Sequence, residues 1–368
     1  RITTTKPPPA TRAIRPCAPR PLLAAMITLL ALLFAGIVAW VGGQETCTAG
    51  SGQTCGSVAG ALTKDHLEKL GLLRALLKEE GVECLVVTQT HNFAWLTGGR
   101  NFVPLNTETG NSQLFVDHER AVVVTTAIEY PRMSGEECVD FEVMEADWRH
   151  LPRSMDDIVS GLARGRKVEV DTGRLADRLE ALQVQLTEAD VEEMRLLGAD
   201  LGAAIAEAAH AVQVGDTEYA AVGHIANAYL KRRIDPIALM VAFDGRASEH
   251  RHPLPRVDHE GRLKRWMLMG TVGRRKGLML SVSRIVSFGP VPDDMRAKHQ
   301  ACMEVDAEIN LNTIPGRTSD ELYFVLEKAY AARGFAEEIR LHHQGGLTGY
   351  KARHWIAQPG GKHVVAGG

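Results

Sequence analysis

From Leu22 to Val41 the chain runs for twenty residues without a charge, enough to cross a bilayer as a helix. From Thr63 onward the apolar positions take up the periodicities of folded α/β structure instead. Leu67, Leu70, Leu73 and Leu77 recur at helical spacing, Gly81 ends that helix, and Cys84 to Thr88 follows as a buried strand. Thr90 to Gly98 reads as a loop and turn. Leu114 to Val116 and Ala121 to Thr126 predict a hairpin, and Phe141 to Met144 and Lys167 to Val170 predict two further strands. Together these elements predict an α/β domain over residues 63–175.

A second domain is expected over residues 187–368. Thr187-Glu-Ala-Asp190 has capping-box spacing, with Val191, Met194, Leu197, Leu201 and Ile205 along one helical face. Beyond it the chain repeats: Gly215, Thr217, Ala228, Tyr229 and Arg232 return as Gly316, Thr318, Ala329, Tyr330 and Arg333, all at an offset of 101 residues. Five matches on one register predict two related halves. Each copy is a turn and an amphipathic helix, followed by a candidate strand, Ala238 to Phe243 after the first and Arg340 to His343 after the second. Two such halves would face each other across a cleft, where small molecules usually bind. Met267 to Met269 and Gly277 to Phe288 read as strands, Asp293 to Asn312 as a helix, and Asp244-Gly245 as a tight turn.

A net charge of -3 gives no global bias toward nucleic acid. The six cysteines have neither zinc-finger spacing nor a disulfide framework; only Cys47 and Cys55 are placed to pair. Residues 1–60 read as a basic tail, the apolar run and a linker. Arg1, Lys6, Arg12, Arg15 and Arg20 precede the run with no acid among them, so it predicts a membrane anchor or an export signal, with the tail cytoplasmic. The alternative is that this stretch is an upstream artefact and the protein is cytoplasmic.

Candidate chemistry concentrates in Leu341 to Tyr350, Leu-His-His-Gln-Gly-Gly-Leu-Thr-Gly-Tyr, where His342 and His343 stand beside two glycines. Imidazoles there can carry protons or ligate a metal, on a backbone that leaves room for a substrate. A His-His pair is ordinarily half structural. A second imidazole loop, His250-Arg-His252, reads by itself as surface.

Taken together, these residues resemble the creatinase, prolidase and aminopeptidase P superfamily. The resemblance lies in Leu85-Val-Val followed by Asn92-Phe-Ala-Trp-Leu-Thr-Gly98, in Arg195, His252 with Pro255, Lys276-Gly277, Arg284, Ser287-Phe-Gly-Pro290 and His343-Gln-Gly-Gly-Leu347. It implies an α/β N-terminal domain followed by an α+β pita-bread catalytic domain with two pseudo-symmetric halves. It also implies two divalent metals such as Mn, Co or Zn, held by two aspartates, one histidine and two glutamates. Of these, His343 matches the histidine ligand, whereas the aspartate positions fall at Gly270 and Ser281, which do not ligate. Arg262 to Pro292 contains no acid and seven basic residues, a charge that opposes assembly of a metal pair. The glutamates are expected beyond Gly368, so the resemblance implies a divergent, incomplete catalytic domain.

The expected function is a hydrolase of a small peptide or amide that does not use the usual two-metal mechanism. His252 is the expected general acid/base, and His342, Tyr350 and Arg284 the substrate-binding residues. The alternative is a binding or regulatory pseudoenzyme on the same fold. No cofactor is assigned. The resemblance further implies a homodimer.

Overall fold

The computed structural model describes residues 60–258 and 261–367. The basic tail, the apolar run and Cys47 and Cys55 lie outside the described residues, among which no helix is long and apolar enough to cross a membrane.

The first region begins with helix α1, Lys64–Glu79, whose N-terminus is closed by Thr63 accepting from the His66 N–H. It continues through β1 (Cys84–Gln89), α2 (Thr90–Thr97), β2 (Thr109–Asp117), β3 (Ala121–Thr126), β4 (Glu142–Ala146), α3 (Arg153–Ala163) and β5 (Val168–Val170). The strands form one mixed sheet in the order β4-β3-β2-β1-β5. Strand alternation sorts its side chains onto two cores. Leu85, Val87, Leu114, Val116 and Val123 pack with Leu70, Leu73 and Leu77 of α1. Cys84, Val86, Phe115, Val122 and Val124 pack with Val159 and Leu162 of α3. Each fully buried aliphatic side chain of this kind contributes about 1.5–3 kcal/mol.

Thr90 to Thr97 is a helix, not the loop expected from its sequence. Nearly every side chain in it is buried, so no polar face marks it. Its ends are fixed by tertiary contacts: Asn92 donates to Asp171 at 2.9 Å and accepts from Gln183 at 2.5 Å. Gly98, at φ +67°, terminates it.

After a short helix α4 (Ala176–Leu182), the second region opens with α5, Glu188–Ala211, which has the expected capping box between Thr187 and Asp190. Then come α6 (Glu218–Leu230), β6 (Asp235–Phe243), β7 (Trp266–Arg275) and β8 (Leu278–Ser287), the strands forming an antiparallel sheet in that order. The second half supplies α7 (Asp293–Asn312), α8 (Ser319–Ala332) and a two-stranded ladder of β9 (Gly346–Leu347) and β10 (Trp355–Ile356).

The 101-residue repeat is structural. Thr217 and Thr318 cap α6 and α8 by the same bond to the backbone three residues on, after Gly215 and Gly316 at φ +97° and +90°. Arg232 and Arg333 each donate to the carbonyl four residues back at 3.0 Å, and they reach Glu207 of α5 and Glu304 of α7. The halves then diverge. The Tyr229 hydroxyl bonds Thr271 inside the first half's sheet, whereas Tyr330 donates to Gln344 at 2.6 Å. Where Arg340 to His343 was expected as a strand, Ala336–Arg340 is a 3₁₀ turn; that segment has no alternation of apolar and polar positions to hold it in a sheet.

The two regions are packed together. Leu278 and Tyr350 from the second are buried in the core of the first. The β7–β8 turn, Lys276-Gly277, has φ +48° and +82°, the left-handed pair that a two-residue hairpin requires. A Cβ on Gly277 would lie 2.5 Å from the Ala94 side chain and 3.0 Å from the Tyr350 ring.

Candidate active site

His252 sits on the loop between β6 and β7. That loop is held from beneath by a residue that the sequence reading passed over, Glu218, which is only 2% exposed. One carboxylate oxygen accepts from the Phe243 N–H at 3.1 Å, and the other accepts from Arg246 at 2.7 Å and from the Arg256 N–H at 2.8 Å. Arg246 also donates to the Leu254 carbonyl at 2.6 Å, and the Val241 N–H donates to the Pro253 carbonyl at 3.0 Å. In the sequence, Glu218 looks like an ordinary acidic residue in the first turn of a helix; only its burial reveals the role.

His342 and His343 follow the 3₁₀ turn of the second half. Gln344 pins them, accepting from Tyr330 and donating to the carbonyls of His342 at 2.8 Å and Glu338 at 3.2 Å. An ion pair of 2.8 Å between Arg251 and Glu338 ties the His252 loop to this turn. The result is a cluster of His252, His342 and His343 whose candidate ligand atoms lie within 4.8 Å of one another. Among the described residues it is the only such group of His, Cys, Asp or Glu able to hold a metal ion.

Nε2 of His342 lies 2.8 Å from Nε2 of His252, and Nδ1 of His342 contacts the His343 carbonyl. A carbonyl only accepts, so the tautomer of His342 that bonds it carries the proton on Nδ1 and accepts at Nε2. Opposite that tautomer, His252 donates from Nε2 and keeps a lone pair on Nδ1. The His342 and His343 rings lie 4.3 Å apart and 31° from parallel, and His252 meets His342 edge-on at 4.7 Å. Burial first, then the neighbouring imidazoles and Arg353, holds the His343 pKa below its ordinary value. Its Nδ1 is buried with no hydrogen-bond partner.

A cavity of about 590 Å³ opens between the halves. Leu268 and Ile285 of the sheet form one wall, Met295 and Cys302 of α7 another, and Tyr330 lies in the second half's wall. His250 and Arg251, immediately before His252, reach it from the loop, and Glu338 reaches it from the second half, whereas His252, His342 and His343 stand outside its lining.

Gly270 and Ser281 are brought to one face of β7–β8: Gly270 pairs with Ser283, and Ser281 stands one diagonal step away. This is the face that carries Leu268 and Ile285 toward the cavity. A Cβ on Gly270 would lie 3.3 Å from the Met240 methyl and 3.8 Å from the Ser283 hydroxyl. Neither position offers a carboxylate.

Two expected substrate contacts lie elsewhere. Arg284 pairs with Met269, whose side chain belongs to the core against α5 and α6, so strand alternation directs Arg284 to the face opposite the cavity. Tyr350 is 2% exposed, and its hydroxyl donates to Asp190 at 2.6 Å and accepts from Lys69 at 3.0 Å. The basic run needs a correction too. Arg274 pairs with Asp235, Arg275 with Glu193 and Asp200, and Lys276 with Glu193, so three of its seven basic residues are paired with carboxylates at the far end of the hairpin.

Residues 69–197 match the family described as the Creatinase/Prolidase N-terminal domain. No curated protein matches the chain in sequence. Among solved structures, the prolidase of Pyrococcus horikoshii superposes with a TM-score of 0.63 at 14% identity, covering 81% of this chain and 87% of that one. The X-Pro aminopeptidase of Thermotoga maritima superposes with a TM-score of 0.64 at 15% identity, covering 81% and 86%. The N-terminal domain of the FACT complex subunit SPT16 from chickpea, Cicer arietinum, also matches, with a TM-score of 0.55, 10% identity and coverage of 82% and 85%. The chain thus carries a creatinase/prolidase-type N-terminal domain over residues 69–197, and its fold is that of the prolidases and X-Pro aminopeptidases.

Proposed function

We propose that the protein is a peptidase-like hydrolase that cleaves a small peptide or amide in the cleft between its two halves, without a two-metal centre. The observation that carries this reading is the meeting of His252 with His342 and His343, from separate halves, next to the Arg251–Glu338 pair that lines a cavity large enough for a short peptide. Two closely spaced hard cations need carboxylates to offset their charge. Gly270 and Ser281 supply none.

In this reading Nδ1 of His252 takes the proton from a water that attacks the amide carbonyl, and returns it to the leaving amine. Water is consumed, and one acid and one amine are released. With His342 accepting from Nε2 of His252, which it contacts at 2.8 Å, Nδ1 is the nitrogen free to act. Turnover of Xaa-Pro dipeptides or small amides by the full chain, abolished by His252→Ala, is the expected result. Absence of turnover across such a panel would reject the hydrolase.

A binding or regulatory pseudoenzyme is the second reading, favoured by the non-ligating Gly270 and Ser281. The match to a FACT complex subunit is consistent with it, since that protein is named for an assembly and not for a peptidase. Calorimetry that finds a small anionic ligand bound but not converted would select it.

A further inference from the structure

We infer that His252, His342 and His343 form a binding site for one zinc-class divalent ion. The inference rests on the reading of this cluster as the reactive centre, and it names the inorganic ligand that the centre would take.

The donor set decides the ion. Three neutral imidazoles with no carboxylate among them suit Zn²⁺ or Co²⁺, whereas Mg²⁺, Ca²⁺ and Mn²⁺ favour oxygen donors. Three histidines also leave a position open, as zinc sites with three protein ligands do.

The geometry is near to what such an ion requires. Zinc–nitrogen bonds of about 2.0–2.1 Å at tetrahedral angles put ligand nitrogens roughly 3.3 Å apart. Here one pair stands at 2.8 Å, and all three residues present ligand atoms within 4.8 Å. His252 and His342 must therefore part by roughly half an ångström while His343 closes in. His252 is exposed on its loop, which leaves it room to give. Its Nε2 proton must also shift to Nδ1, a change of tautomer with no net loss of a proton, so in the ion-bound form His252 is a ligand and its role as base belongs to the ion-free form alone.

A second observation points the same way. Nδ1 of His343 is buried and has no hydrogen-bond partner, a condition that normally costs about 1–3 kcal/mol. Coordination through this nitrogen would relieve it. The backbone on either side is already braced by Gln344, Tyr330 and the Arg251–Glu338 pair, so little ordering remains for the ion to impose.

The test is titration of the metal-stripped full chain with Co²⁺, followed by its visible ligand-field spectrum, with Zn²⁺ as competitor. One equivalent per chain, with the intense band of a tetrahedral ion bleached by Zn²⁺, is expected. Each of His252→Ala, His342→Ala and His343→Ala should weaken binding by at least roughly 100-fold, the upper range for loss of a mere outer-shell partner. His299→Ala, on α7 outside the cluster, should leave it unchanged. Circular dichroism establishes that each variant is folded. No binding, or a pale octahedral spectrum that the three variants share, overturns the inference. An ion held by the three histidines in a protein that hydrolyses nothing removes the hydrolase and keeps the site. Turnover that survives removal of all metal, in a chain that binds no Co²⁺, does the reverse.

Discussion

Tyr350 donates its hydroxyl proton to Asp190 at 2.6 Å, in a place where both side chains are under 5% exposed. Burial and the adjacent carboxylate push that hydroxyl's pKa well above the ordinary phenol value. Lys69, equally buried, reaches Asp190 at 2.8 Å and Asp65 at 2.7 Å. A residue expected to touch substrate is thus the pin between α1, α5 and the segment that follows the paired imidazoles. Tyr350→Phe removes the bond to Asp190 and the one from Lys69; it should cost at least about 1.5–3 kcal/mol, the worth of a hydrogen bond to a charged group, and leave KM unaltered. Asp190→Ala deprives a buried ammonium of one partner and should cost about 3–5 kcal/mol. Urea denaturation of both variants measures the difference.

Glu218 holds the loop that presents His252. Glu218→Gln retains the side-chain shape but turns an amide NH₂, itself a donor, toward N–H groups that in the parent find only carboxylate oxygens. It also leaves the Arg246 guanidinium without its carboxylate. Stability should fall by about 3–5 kcal/mol, and hydrolysis should fall further than unfolding explains, because His252 loses its setting. Activity measured well below the unfolding temperature separates the two effects.

At the β7–β8 turn the backbone leaves no room for a side chain. Gly277→Ala must hold a positive φ and force its methyl against Ala94 and Tyr350. Overpacking alone costs about 1–3 kcal/mol, and the strained backbone adds to it. Gly71→Ala, within α1, where an added Cβ meets nothing within 4 Å, should be neutral or stabilising. Paired thermal melts of the two variants check this.

Acid should destabilise the protein through its buried imidazoles. Burial lowers the His354 pKa from 6.5 to about 4, and neither ring nitrogen has a hydrogen-bond partner. Between those two values the unfolded chain binds a proton that the folded chain refuses, so stability falls as pH drops through this window. The contribution is intact above 6.5 and fully lost below about 4. Burial lowers His66 and His91 as well, with the same sign. Urea midpoints across the window should decline toward acid, less steeply in His354→Leu.

For the proposed chemistry, His252→Ala should lower kcat/KM by about 10²–10⁴-fold, the range for a general acid/base. The side chain is exposed, so stability should change by less than about 0.5 kcal/mol. Equal kcat/KM in variant and parent would remove His252 from the mechanism.

What the sequence discloses depends on whether an element carries its own signal. The capping box at Thr187, the β2–β3 hairpin and the duplicated α6 and α8 are written in local residue choices, and all are present. Helix α2 is hidden because it is buried on every side, which erases the periodicity that would announce it. The imidazole cluster joins residues 90 positions apart; no spacing rule links them, and only the family resemblance brought His252 and His343 into one expectation. Arg284 and Tyr350 were placed by alignment of motifs, yet strand parity and core packing, which motifs do not encode, decide where they point. Glu218 shows the same limit from the other side: it reads as a helix-start acid until the loop folded over it is seen.

The paired tyrosines carry one more implication. Tyr229 and Tyr330 occupy the same place in twin helices, yet one merely braces a sheet while the other steadies the turn that bears two imidazoles. The same residue type on the same helical register thus serves two ends, stiffening a hairpin in one lobe and anchoring the glutamine that pins the paired imidazoles in the other.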